Sequence, residues 1–155
     1  MVRSRAALAA VLVGVAALAA PAGAGAQDYV GSTAQYEPFE LFLHSKTRAS
    51  LYLGTKAHCL GGTLTTRFDT SNERPITSSS GGRYTFDGDF RFDPGLHRHG
   101  VDHAIGHLHM TGRVKGDGTS GHVRSVTRLY DGDDFLIGTC RSPKISFFAS
   151  IDYVN

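Results

Sequence analysis

The chain has no tryptophan and only two cysteines and two methionines among its 155 residues. The two cysteines, Cys59 and Cys140, stand far apart with no C-x-x-C spacing. That excludes the four-ligand zinc modules and the redox motif built on that spacing. Beyond residue 26 no apolar run approaches the roughly 20 residues of a membrane-spanning helix, so no transmembrane segment is expected in the mature chain. Nor does any stretch of about ten residues there keep a 3.6-residue apolar period, which argues against a helical domain. Excess charge is also missing. The sixteen basic residues include Arg3 and Arg5, the fourteen acidic ones all follow residue 26, and the remainder balances at fourteen of each. Nucleic acid is therefore not an expected partner.

What is present begins with the N-terminus. Arg3 and Arg5 precede an uninterrupted small and apolar stretch, Ala6 to Ala20, and Pro21 ends it. Ala24-Gly25-Ala26 then supplies a small-residue cleavage site before Gln27, the pattern of a secretory signal peptide. The expected organisation is a signal over 1–26 and one secreted domain over 27–155, released by cleavage near Ala26-Gln27. That domain is long enough to bury its own core. In an exported chain an even pair of cysteines is most simply one disulfide, Cys59–Cys140.

Period-two alternation recurs along the mature sequence. Phe39, Leu41 and Leu43 form one set, Leu51 and Leu53 lead toward Ala57 and Cys59, and Leu64, Thr66 and Phe68 form another. Leu108, Met110 and Val114 alternate with His107, His109, Thr111 and Arg113, and Ile145, Phe147 and Ala149 come last. Short alternating segments punctuated by glycine predict an all-β fold, a single antiparallel β-sandwich or flattened β-barrel of about eight to ten strands. Asp117-Gly118 is the pair that a two-residue hairpin prefers, and Asp87-Gly88 and Asp131-Gly132 read as similar turns. Residues 72–82 and 93–100 read as loops.

The layout resembles small secreted β-sheet proteins of unknown function that are common in actinobacteria and other high-GC bacteria. The residues that carry the resemblance are Gly31-Ser32-Thr33, Cys59, the run Tyr84 to Phe90, Gly112-Arg113-Val114 with Ser120 to Val123, and Gly138-Thr139-Cys140 followed by Ser142 and Ile145 to Ala149. The resemblance implies a sandwich or barrel with a Cys59–Cys140 bridge, and it implies no activity. Such proteins often end in a tryptophan-bearing strand; here Phe147 or Phe148 stands in that region.

Two groups of side chains suggest chemistry. His97, His99, His103, His107 and His109 fall within thirteen positions. On a strand, His107 and His109 would share a face and could reach one zinc or copper ion, with Asp102 as a further ligand or second acceptor. The spacing matches no established zinc pattern, and a polar strand face next to a polar loop explains the same residues more simply. The second group follows from the hairpin. With Asp117-Gly118 at its tip, Arg113 lies opposite His122, Thr111 opposite Arg124 and His107 opposite Arg128. One outer face then gathers His107, His109, Arg113, His122, Arg124 and Arg128 without a carboxylate. Such a stripe would strengthen below about pH 6.5 and suit an anionic envelope polymer, a phosphate group or an acidic protein.

Other motifs carry less. Phe68-Asp69-Thr70-Ser71 resembles one half of an aspartic-protease site, which needs two facing carboxylates. Ser120 lacks the strand-to-helix setting of an exposed nucleophile. Asp131 to Asp134 lacks the ligand ladder of a calcium loop. The six tyrosines show no pairing that would mark a sugar-binding face. The expectation is thus an extracytoplasmic, non-enzymatic binding domain without a cofactor, the runner-up being zinc or copper binding through the histidines.

Overall fold

The computed structural model describes residues 26–59, 62–70 and 74–152, apart from the side chain of Arg98. Almost all of the expected signal therefore lies outside the described residues. No described helix is long and apolar enough to cross a membrane.

The all-β expectation holds. The described residues form one large antiparallel sheet of eleven strands: β1 (Gln27–Thr33), β2 (Pro38–Ser45), β3 (Arg48–Cys59), β4 (Gly62–Asp69), β5 (Arg74–Pro75), β6 (Thr77–Ser79), β7 (Arg83–Phe92), β8 (His103–Lys115), β9 (Gly118–Tyr130), β10 (Leu136–Arg141) and β11 (Ile145–Ile151). Two of them, β5 and β6, are only two and three residues long, and they correct the reading of 72–82 as a plain loop.

The sheet closes on itself. Pairing runs β3-β2-β1-β11-β9-β8-β7-β6, and β5 returns to β3 through Arg48↔Pro75 and Ala49↔Arg74. A single residue, Ile76, separates β5 from β6, so Arg74–Ser79 acts as a strap between β3 and β7. At the other end β4 continues along β3, while β10 spans from β9 to β3. Among the described residues the β10–β3 seam has one paired position, Arg141↔His58. The Cys59–Cys140 disulfide lies beside it, as expected.

Alternation sets the inside. Tyr29, Phe39, Leu41, Leu51, Leu53, Phe68, Phe86, Leu108, Met110 and Phe147 are buried in the main core. Phe39 stacks on Phe147 with centroids 4.2 Å apart. A smaller apolar cluster around Ala57, Val101, Ala104, Leu129 and Cys140 occupies the disulfide end. Buried hydroxyls also line the interior, where Thr55 Oγ1 and Ser125 Oγ are 3.0 Å apart and Thr66 and Thr127 are nearby in register on β4 and β9.

Two turn readings are corrected. The β8–β9 hairpin pairs Lys115 with Gly118, so Gly116-Asp117 forms its tip. The positive φ, 59°, falls on Gly116 at the first turn position, where a glycine is favoured. Asp87-Gly88 is no turn at all, because β7 runs straight through it. Tyr84, Phe86, Gly88, Phe90 and Phe92 keep one unbroken inward parity, and that pattern outweighs the local preference of the dipeptide.

Tyr84 shows how the interior accommodates a polar tip. Its ring lies against Gly112, and its hydroxyl is 2.8 Å from Thr119 Oγ1. Burial, opposed in part by that hydrogen bond, raises the phenol well above its ordinary range near pH 10. The unfolded chain would ionise near pH 10 while the folded one holds the proton. Stability from this group is therefore full below about pH 10 and is lost as pH rises further. Denaturation between about pH 8 and about pH 11 should show that loss, and Tyr84→Phe should flatten it. At neutral pH that variant should cost only about 1 kcal/mol, for the missing hydrogen bond.

Candidate functional site: a cationic groove on the outer face

The corrected register moves each cross-strand partner by two residues and so leaves the faces unchanged. On the outer face of β8 and β9, Arg113 lies opposite Ser120, Thr111 opposite His122, His109 opposite Arg124 and His107 opposite Val126. Arg128, on the same face, lies opposite Ile105 toward the far end. The six expected residues do share one face, but not in the pairs expected from the sequence.

Nor is that face free of carboxylates. β7 lies next to β8 and places Asp87 opposite His109 and Asp89 opposite His107. His107 Nδ1 is 2.9 Å from Asp89 and His109 Nδ1 is 2.7 Å from Asp87, while His107 Nε2 lies 3.4 Å from the other oxygen of Asp87. The two histidines are thus matched by two aspartates. Reading Asp87-Gly88 as a turn concealed this, since a turn there would have carried both carboxylates away from β8.

The five histidines of the expected metal cluster are not brought together. His97 sits on a short 3-10 turn, His97–His99, with Nε2 3.0 Å from Asp93. The N–H of Gly95, and then His97, hold the Asp93 carboxyl below its ordinary range. His99 is on the same turn. His103 is buried, stacked on Tyr130 with rings 5.2 Å apart, and flanked by Asp102 and Asp134 at 3.3 Å each. Among the described residues no group of three or more histidine, cysteine or acidic side chains is arranged to hold a metal.

The cationic character instead concentrates in a groove of about 740 Å³ that crosses β6, β7, β8, β9 and the start of β11. Strand register explains its shape. One wall is the row Thr77, Thr85, Thr111, His122 and Ser146, paired neighbour to neighbour across five strands. The other is the row Ser79, Arg83, Arg113 and Ser120. Between them runs the row whose side chains point inward, and there Gly112 and Gly121 are directly opposed. A Cβ on Gly112 would run into the Tyr84 ring, and one on Gly121 into the backbone of Thr111. The groove floor is this inward-facing row, where Tyr84, Gly112, Gly121 and Phe147 all line it.

The walls carry two arginines, a histidine and six serine or threonine hydroxyls, and among the described residues no carboxylate lines the groove. Arg83 and Arg113 are directly opposed across β7 and β8, a like-charge pair that disfavours the sheet unless something compensates it. Arg113 is held in place, its Nε donating to the carbonyl of Gly81 at 2.9 Å. Among the described residues neither arginine pairs with an acidic side chain. Arg124 and Lys144 extend the positive surface beyond His122, lining a smaller depression of about 240 Å³. Such a surface can hold an anion through charge-assisted hydrogen bonds, with the hydroxyls serving its remaining oxygens.

Arg83 and Lys144 are additions to the residues singled out from the sequence. The signal for Arg83 was the inward parity of Tyr84 and Phe86, which sends Arg83 outward. Its neighbour on β8 could be known only from the pairing.

The chain matches no protein-family model, and comparison with curated proteins and with solved structures finds no match.

Proposed function

We propose that this protein is an extracytoplasmic binding domain, without catalytic activity, that holds an anionic partner in the groove between Arg83, Arg113 and His122. The carrying observation is the opposed arginine pair in a groove lined by hydroxyls and, among the described residues, by no carboxylate. A negatively charged group between the two guanidinium groups turns a repulsive pair into a bidentate clamp, which suits phosphate, sulfate and carboxylate alike. The leader-like start and the disulfide favour action outside the cytosol. The small secreted β-sheet proteins of high-GC bacteria remain the group to which we relate the chain.

Retention on phosphocellulose at about pH 5.5 and low salt tests the reading. Arg83→Glu/Arg113→Glu should abolish retention, because it replaces two cations with two anions at the clamp. Asp87→Asn/Asp89→Asn should strengthen it by removing the carboxylates that flank the groove. Unchanged retention in the arginine variant would sink the proposal.

A further inference from the structure

A second cavity, of about 460 Å³, opens at the end of the barrel crossed by the strap. That volume is within the range of small-molecule sites. Its apolar wall is Leu43, Ile76, Tyr84 and Val114, and its rim carries Lys46 and Arg83. Among the described residues no carboxylate lines it. Ser79, Arg83 and Tyr84 line this mouth and the outer groove alike, so the two meet at a common lip.

The lip is the 3-10 turn Ser80–Gly82. Gly81 and Gly82 adopt φ of 74° and 72°, and a Cβ on Gly82 would lie 2.5 Å from the carbonyl oxygen of Val114. This turn is thereby pressed against the end of β8, and the hydrogen bond from Arg113 to Gly81 anchors the guanidinium above it. The result is an apolar recess with Arg83 on its rim and Arg113 across the lip, in the outer groove.

We propose that the mouth takes the tail of a single-chain anionic amphiphile whose phosphate, sulfate or carboxylate head sits between Arg83 and Arg113. This rests on the anion-binding reading of the groove and narrows its ligand class. A neutral apolar molecule would leave the opposed cations uncompensated. A purely polar anion would leave the partly exposed Leu43 and Val114 of the wall in water. A molecule with both parts satisfies both surfaces, the tail through non-directional burial and the head through charge-assisted hydrogen bonds.

Calorimetric titration of the oxidised protein with monomeric octyl phosphate, inorganic phosphate and octanol tests the inference. Octyl phosphate should bind at least about tenfold tighter than inorganic phosphate, about 1.4 kcal/mol, a gain that burial of about two methylenes supplies. Octanol should bind more weakly than octyl phosphate. Val114→Asn should remove the tenfold gain and leave phosphate affinity unchanged. Ser78→Trp, which narrows the mouth from an exposed position and removes nothing from the core, should do the same. Arg113→Gln should weaken both anions. Octyl phosphate binding no tighter than phosphate, with arginine-dependent retention on phosphocellulose intact, overturns the amphiphile and leaves the anion reading standing. Retention that ignores both arginines overturns the two together. Binding to phosphatidylglycerol vesicles without binding of monomeric octyl phosphate overturns the inference in favour of a membrane surface.

Discussion

Replacing Cys59 and Cys140 with alanine should lower the unfolding free energy by about 4 kcal/mol and the melting temperature by roughly 15 °C. The bridge closes a loop with a sequence separation of 81, and chain entropy alone predicts a loss of that size. The fold adds a local reason. Among the described residues β10 meets β3 at one paired position, Arg141↔His58, and the covalent link lies directly beside it. Equilibrium denaturation separates the two contributions. Release of the unfolded chain should increase the slope of stability against denaturant, because more surface is exposed on unfolding. Opening of the seam should appear as faster amide exchange over β10 while the domain remains folded. A variant as stable as the oxidised protein would show that the smaller apolar cluster closes this end unaided.

Phe68→Ala should cost a further large amount, about 3–5 kcal/mol. Phe68 is fully buried on β4, a strand that among the described residues pairs only with β3. Its ring spans from β4 toward β7, with centroids 5.2 Å from Phe90 and 6.4 Å from Phe92, and it covers Gly106 on β8. The side chain thus bridges a gap that no backbone ladder fills. Phe148→Ala is the contrast. That ring is 63% exposed, and its loss should fall within about 0.5 kcal/mol. A double-mutant cycle sharpens the point. A Cβ on Gly106 would lie 2.7 Å from the Phe68 ring, so Gly106→Ala should be costly alone and much milder once Phe68 is alanine. Additive effects would show that the ring does not fill this gap.

The alternating positions of β2, β3, β4, β8 and β11 were legible in the sequence because each strand buries one face, and period two is then unavoidable. The disulfide was legible from compartment logic. Of the two turn readings, only Asp87-Gly88 set local turn chemistry against parity, since the shifted hairpin tip keeps every residue on its expected face. Asp87-Gly88 is a fine turn dipeptide, yet Phe90 and Phe92 continue the inward phase of Tyr84 and Phe86 without a break. Gly116 preceded the expected tip, and a glycine at the first turn position competes with the Asp-Gly reading.

The candidate site was legible only in part. Arg113 and His122 could be placed on one face from β8 and β9, which are neighbours in sequence. The groove also needs Arg83 and Thr85 from β7, Thr77 and Ser79 from β6, and Ser146 from β11. Those strands come together through pairings that no local pattern encodes. The same is true of Asp87 and Asp89, whose arrival beside β8 turned a supposed purely cationic stripe into two His–Asp pairs next to an uncompensated clamp.

The strap Arg74–Ser79 completes the ring of strands and also supplies Ile76 to the mouth and Thr77 and Ser79 to the groove. A partner seated there would hold the ring shut, because it would bind the closed barrel and not the opened one. At 100 times its dissociation constant it would add about 2.7 kcal/mol. That coupling would make the supply of the partner a determinant of how long each molecule survives proteolysis.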